Sequence, residues 1–468
     1  MSQRMSAAIG CAATLAAIQL SAFAVTGTAT VEPQLIDDSQ LKAASVAIGG
    51  AAVLPTTRTV THWWGATTNP HDGVTYGYNM VGANPNTCKL SDCDVTIEVD
   101  ITPLIVNIDG LTFSGQDVLQ ATLDSPLFAL NDYGSTAWAT AGAANLPRGP
   151  GGVLSQNDSG NLLQLEDATM RAQFNLASPG STYHLRLHPN LLPAVTINVP
   201  RNQGTLLVSG RGVVFADVDI GWWSAQINNL LTKADATHLP LFLTDNVLLF
   251  EGNNPGNCCV IGYHGTRAVG NGGGSANSNG NSVVQTFAWA SWVQPGLYAR
   301  PDGGTDWALQ DIHAISHEIS EWADDPFVNN TVEPWLTPTA PQYGCSGFLE
   351  TGDPVVGIGF AIGTNKFQQG PNPNGTQSAD GYYHPEDEVF LPWFMRTSPN
   401  HVSEPTQAVS SNVGRYTLMG DRNPFAGFRQ PATGCQCRAA DPRTAAGVLP
   451  ACRAREAADW LRRSLLSV

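Results

Sequence analysis

The chain reads as an α+β protein in which a mixed-sheet domain with a polar helix follows a mainly β N-terminal domain. Three observations predict this. Segments such as Val95–Val99, Tyr183–Leu187 and Val195–Val199 run apolar or alternate over strand lengths, divided by Pro, Gly and Asn turns. Beyond residue 205 the pattern becomes strand Val213–Val218, helix Trp222–Leu231, and strands Leu241–Phe250 and Val283–Val293. A helix from about Asp306 to Trp322 then carries His-Ala-Ile-Ser-His-Glu-Ile-Ser-Glu at residues 313–321.

In chain order, residues 1–24 read as an export signal, with Arg4, an apolar run from Ala7 to Leu20, and Ala22-Phe23-Ala24 as the cleavage site. Cys11 lies inside that run with too little hydrophobic sequence before it for a lipoprotein cysteine. Residues 25–59 are small and polar and read as a flexible leader, 60–205 as the mainly β domain, 206–400 as the mixed-sheet domain, and 401–468 as a C-terminal tail. His62, Trp63, Trp64 and His71 open the β domain, where tryptophans near a strand start read as packing. Gly265–Ser282 is rich in Gly, Asn and Ser and reads as a mobile loop; without Gly-Lys-Ser/Thr it is no phosphate cradle. No segment of the mature chain reaches the ~20 apolar residues that span a bilayer.

The 468 residues are 42% hydrophobic, enough for a sizeable core, and their formal net charge is −16. Binding phosphates needs a concentrated basic face, so nucleic acid is not an expected partner. Of nine cysteines, loss of Cys11 leaves an even number, consistent with disulfides in an oxidising compartment. Cys88 with Cys93 is the best candidate pair. Cys258 and Cys259 are adjacent, and Cys435, Cys437 and Cys452 cluster in the tail, so their partners stay open.

The polar helix carries the chemistry. His317 and Glu321 stand four residues apart on one face, and Glu318 follows the histidine where a water-activating carboxylate sits in a zinc-protease helix. The layout is zincin-like, with glutamate in place of the second histidine. Asp324-Asp325-Pro326 stops the helix. Downstream, Leu349-Glu350-Thr351-Gly352-Asp353-Pro354 turns back with two carboxylates, so Asp353 or Glu350 is the expected third metal ligand. His313 with His317 is the competing ligand pair. From His313 to Glu321 the helix rises about 12 Å, too far for all three to share one ion.

Ser316-His317-Glu318-Ile319-Ser320-Glu321, Asp325-Pro326, Trp335 and Glu350-Thr351-Gly352-Asp353 together resemble the phosphate-induced, Exordium-like proteins. Leu243–Val247, Cys259–Gly265 and Phe390–Phe394 are similar to further segments of that family, so the resemblance covers about residues 206–400. It implies that glutamate at the second ligand position is a regular feature, and that members act outside the cell as growth or signalling factors.

Two smaller features complete the reading. His384-Pro385-Glu386-Asp387-Glu388 offers ligands for calcium or an additional metal contact, and is read as a solvated acidic turn. His264 beside Cys258 and Cys259 suggests a thiol nucleophile, which oxidation of exported thiols disfavours. The expected protein is a secreted or periplasmic metal-dependent hydrolase of peptidase type, acting on a peptide or cell-envelope substrate. Zinc is the expected ion, other divalent ions staying open because this donor set is harder than His-His-Glu. Glu318 is the expected general base. The rival expectation is an extracellular binding or signalling protein whose metal site is structural or lost.

Overall fold

The computed structural model describes residues 28–29, 57–87, 93–133, 162–174, 176, 182–252, 254–269, 283–298, 309–336, 345–371, 378–397 and 416–418. The expected export signal, nearly all of the leader, residues 270–282 of the Gly-rich loop, the tail apart from 416–418, and Cys11, Cys88, Cys435, Cys437 and Cys452 lie outside them.

Asp94–Ile108 forms β1, a strand of 15 residues. Its odd positions Ile97, Val99 and Ile101 enter one core, while its even positions Leu104, Val106 and Ile108 enter another. A strand apolar on both faces must lie inside a sheet covered on both sides. Leu165–Gln173 forms α1, buried at every position. His184–Leu191 (β2) and Val195–Asn198 (β3) pair in parallel with successive stretches of β1. Val214–Asp219 (β4) leads into Ile220–Leu230 (α2), where the Asp219 carboxylate caps the helix by accepting from the Trp222 amide.

Leu239–Asp245 (β5) lies parallel to β1, with Leu239 opposite Val99. Val247–Phe250 (β6), Gly262–Val269 (β7), Val283–Trp292 (β8) and the helix His313–Asp324 (α3) follow. The seven-stranded sheet runs β7-β8-β5-β1, extended beyond β1 by Leu111–Ser114, with β2 and β3 also paired to β1. The β8–β5–β1 pairings are parallel, whereas β7 at the edge runs antiparallel to β8. Mixed sheets with helices give the α+β class expected.

The structure corrects three details. Residues 60–205 and 206–400 share one sheet, because β1 from the first segment needs β5 from the second to cover its edge. The expected single strand Leu241–Phe250 is two strands, broken at Asn246, whose φ of 50° is a left-handed conformation that asparagine tolerates. That turn sends β5 into the seven-stranded sheet and β6 into a five-stranded sheet beside β4. The polar helix starts at His313, since Asp311 holds φ 45° and bridges to Val293, which forbids helix through it.

Helix α3 packs across the face of β7 and β8. Ile315, Ile319 and Trp322 share the larger core with Ala288 and Ala290 of β8, whose small side chains let the helix approach. Each buried isoleucine contributes roughly 1.5–3 kcal/mol. Trp322 Nε1 donates to Thr286 Oγ1 at 2.8 Å, so its one polar atom is satisfied. Trp63 packs edge-to-face on Tyr78 and Phe174, as expected of a packing residue, while Trp64 is half exposed. Cys258 and Cys259 are disulfide-bonded to each other, and Cys93 is also disulfide-bonded.

Candidate metal centre

Residues 384–388 are laid along the start of α3 by a series of hydrogen bonds. The Asp311 carboxylate accepts from the His384 backbone amide and from His384 Nδ1, both at 2.8 Å. Ser316 Oγ then accepts from the Glu386 amide at 2.9 Å and donates to the His313 carbonyl at 2.8 Å. His384, Glu386, Asp387 and Glu388 are consequently buried, which corrects the expected solvated acidic turn. Acidic runs sit in water by default, but here two histidines and a serine of α3 supply partners inside the protein.

Glu386 Oε2 lies 2.5 Å from His317 Nδ1 and 3.4 Å from His313 Nε2. His317 therefore turns Nε2 the other way, to 3.1 Å from Glu321 Oε2, 3.8 Å from Asp353 Oδ1 and 4.0 Å from Glu318 Oε1. Glu321 Oε1 accepts from the backbone amides of Gly352 and Asp353 at 3.2 and 3.3 Å, which anchors the returning loop. A side chain at Gly352 would collide with the His317 ring, so only glycine lets the loop approach this closely.

The edge strand brings a histidine that the helix motif did not point to. Gly262, His264 and Thr266 share one face of β7, paired with Ala290, Ala288 and Thr286 of β8. His264 Nδ1 lies 3.6 Å from Glu318 Oε2 and 3.5 Å from Glu321 Oε2, and its Nε2 is 3.9 Å from Glu350 Oε2. A Cβ at Gly262 would stand 2.6 Å from Glu318 Oε1, so this glycine makes room for the carboxylate. The available sequence signal was strand parity, which places His264 two residues after a glycine on the helix-facing side. Its neighbours here are carboxylates of α3, and this removes it from the thiol pairing considered for Cys258 and Cys259.

Ligand-type atoms lying mutually within 4.8 Å form two sets among the described residues: His317, Glu321 and Asp353; and His264, Glu318 and Glu321. The structure thus places His317, Glu321 and Asp353 in one set and Glu318 in the other, with Glu318 Oε1 4.0 Å from His317 Nε2. Glu350 sits at the His264 end, and His313 faces Glu386 outside both sets. His317 and Asp353 keep side-chain exposures of 14% and 16%, against 5% for Glu318 and Glu321, so the first set is the one reachable from solvent.

Electrostatics set the two helix glutamates apart. Burial raises the pKa of Glu318 above the ordinary value, and His264 and His317 only partly offset it. Burial acts on Glu321 too, but His317 and His264 hold its carboxyl well below the usual range. Burial alone would lower His317, yet Glu321 and Glu386 keep it well above its ordinary value. Glu388, with neither carboxylate oxygen hydrogen-bonded, is pushed well up by burial and then by Glu386.

The donor set fits a divalent cation on two observations. Glu318 Oε2, which faces His264 Nδ1 at 3.6 Å, is buried without a hydrogen-bond partner. Carboxylates of Glu318, Glu321, Glu350, Asp353 and Glu386 also converge on the imidazoles of His264, His313 and His317, a set of oxygen and nitrogen donors of the kind that divalent ions take. The chain matches no protein-family model, no curated protein and no solved structure. No helix among the described residues is long and apolar enough to cross a membrane.

Proposed function

We propose that the protein is an exported, zincin-like metal-dependent hydrolase of peptidase type, with zinc as the first candidate ion and a peptide or cell-envelope polymer as substrate. The observation that carries this reading is the orientation of His317. Its Nδ1 is engaged by Glu386 and its Nε2 faces Glu321 and Asp353, as in metal sites whose histidines give their second nitrogen to a carboxylate. The antiparallel edge strand β7 beside the motif helix also supports a zincin-like arrangement. Fold analogy by itself carries no activity.

In this reading His317, Glu321 and Asp353 hold the ion, and Glu386 fixes the imidazole. A divalent cation there supplies Lewis acidity toward a carbonyl and lowers the pKa of a nearby water. Glu318 moves the proton. Its Oε1 points to the His317 side, and its raised pKa suits a group that takes a proton from water and returns it to a leaving amine. Export is supported by the leader sequence and the disulfide-bonded cysteines.

The test is elemental analysis of the purified protein and of His317→Ala, followed by peptide-library hydrolysis. Bound metal that His317→Ala loses, together with cleavage by the wild type, supports the reading. Metal without any cleavage moves the protein to the rival class, an extracellular binding or signalling protein with a structural ion.

A further inference from the structure

We propose that this centre holds two divalent cations, with Glu321 as the carboxylate shared between them. The inference rests on the metal-site reading above and adds a second, enclosed ion to it.

The argument starts from bond lengths. Nitrogen and oxygen ligands stand ~2.0–2.2 Å from zinc, so the donors of one ion lie within about 4.4 Å of each other. Within the first set the measured separations are 3.1 Å from His317 Nε2 to Glu321 Oε2 and 3.8 Å from His317 Nε2 to Asp353 Oδ1. Within the second they are 3.5 Å from His264 Nδ1 to Glu321 Oε2 and 3.6 Å from His264 Nδ1 to Glu318 Oε2. Each imidazole thus stands within one coordination sphere of both carboxylates in its own set. No set among the described residues contains both imidazoles, so a single ion does not collect them as they stand.

Glu321 is built to serve both sides. Its Oε1 is occupied by the Gly352 and Asp353 amides, and its Oε2 points between the two imidazoles, 3.1 Å from one and 3.5 Å from the other. Two-metal hydrolytic sites place their ions ~3.5–4 Å apart, a distance that a shared carboxylate spans. Glu318 has the complementary geometry. Its Oε2 faces His264 as a ligand, while Oε1 stays on the His317 side for the proton.

The two positions differ in access. His264, Glu318 and Glu321 have side-chain exposures of 4%, 5% and 5%, and Glu350 closes the far side 3.9 Å from His264 Nε2. Closed shells are characteristic of structural ions and open ones of catalytic ions. The His317 position is therefore the exchangeable, reacting one, and the His264 position the enclosed one. With one imidazole and two carboxylates each, both suit zinc or manganese.

The experiment uses the full mature chain, stripped with chelator and reloaded with Zn²⁺ or Mn²⁺ alone. Elemental analysis should return two equivalents per chain, falling to one in His264→Gln. The manganese-loaded wild type should give the exchange-coupled resonance spectrum of a spin pair, a readout that needs no variant to fold. One equivalent in the wild type, with an isolated Mn²⁺ spectrum, overturns the second ion and leaves the hydrolase reading standing. No bound metal after reloading overturns both.

Discussion

Glu386 accepts a hydrogen bond from His317 Nδ1 across 69 residues of chain, and this contact decides which imidazole nitrogen faces the remaining carboxylates. Removing the charge while keeping the shape should loosen that orientation. Glu386→Gln should retain the fold and lower metal affinity about 10- to 100-fold, measured by competition with a chromophoric chelator. Unchanged affinity would mean that His317 is oriented by something other than Glu386.

Glu318→Gln separates proton transfer from retention of the His317 ion. The variant should keep the ion at His317, Glu321 and Asp353 and weaken only the one at His264, while hydrolysis falls about 100- to 10,000-fold. Steady-state kinetics on a cleaved library peptide measures this, and a variant with full activity would remove Glu318 from the base role.

Gly352→Ala puts a methyl group into the His317 ring. Either the loop or the imidazole must move, at a cost of about 1–3 kcal/mol for overpacking. Metal affinity should drop together with stability in urea unfolding. A loss of stability alone would show that the loop yields and the histidine does not.

Asp217 gives a pH prediction remote from the centre. It lies on β4, fully buried, neither oxygen makes a hydrogen bond, and burial pushes its pKa up to about 8. Its folded-state pKa stands above the unfolded value, so the native state binds the extra proton and stability is greatest in acid. The contribution should decline from about pH 4 to pH 8, by at most about 1.4 kcal/mol per unit. Asp217→Asn should reduce this dependence in urea titrations at pH 5 and pH 8.5, leaving the share of Asp245 and Asp324, which burial also pushes up to about 7, and an unchanged slope would mean that Asp217 does not titrate there.

The helix motif was legible because His317, Glu318 and Glu321 lie within five residues and obey helical spacing. The returning loop was legible for a similar reason: Gly352 between Glu350 and Asp353 marks a turn that presents carboxylates. His264 was hidden because its part in the site comes from sheet pairing, and only β7 lying against α3 gives it carboxylate neighbours. Glu386 was hidden because local composition points to solvent, while its burial follows from contacts with His313, Ser316 and His317. The break at Asn246 falls at the polar run Thr244-Asp245-Asn246, which reads as part of one strand because its flanks are apolar and which is itself buried. Only the left-handed backbone at one residue divides the run between two sheets.

The place of β1 has a consequence for how the molecule assembles. Val99 meets its partner Leu239 only after more than about a hundred residues of intervening chain have been made, and β5 in turn pairs with β8 from Leu241 onward. The loop must close before either contact rewards it, which makes formation of this sheet slow compared with helix growth. The floor beneath α3 is completed only when the β8 residues arrive, so a chain begun at residue 206 should leave β5 with a bare edge and precipitate instead of folding.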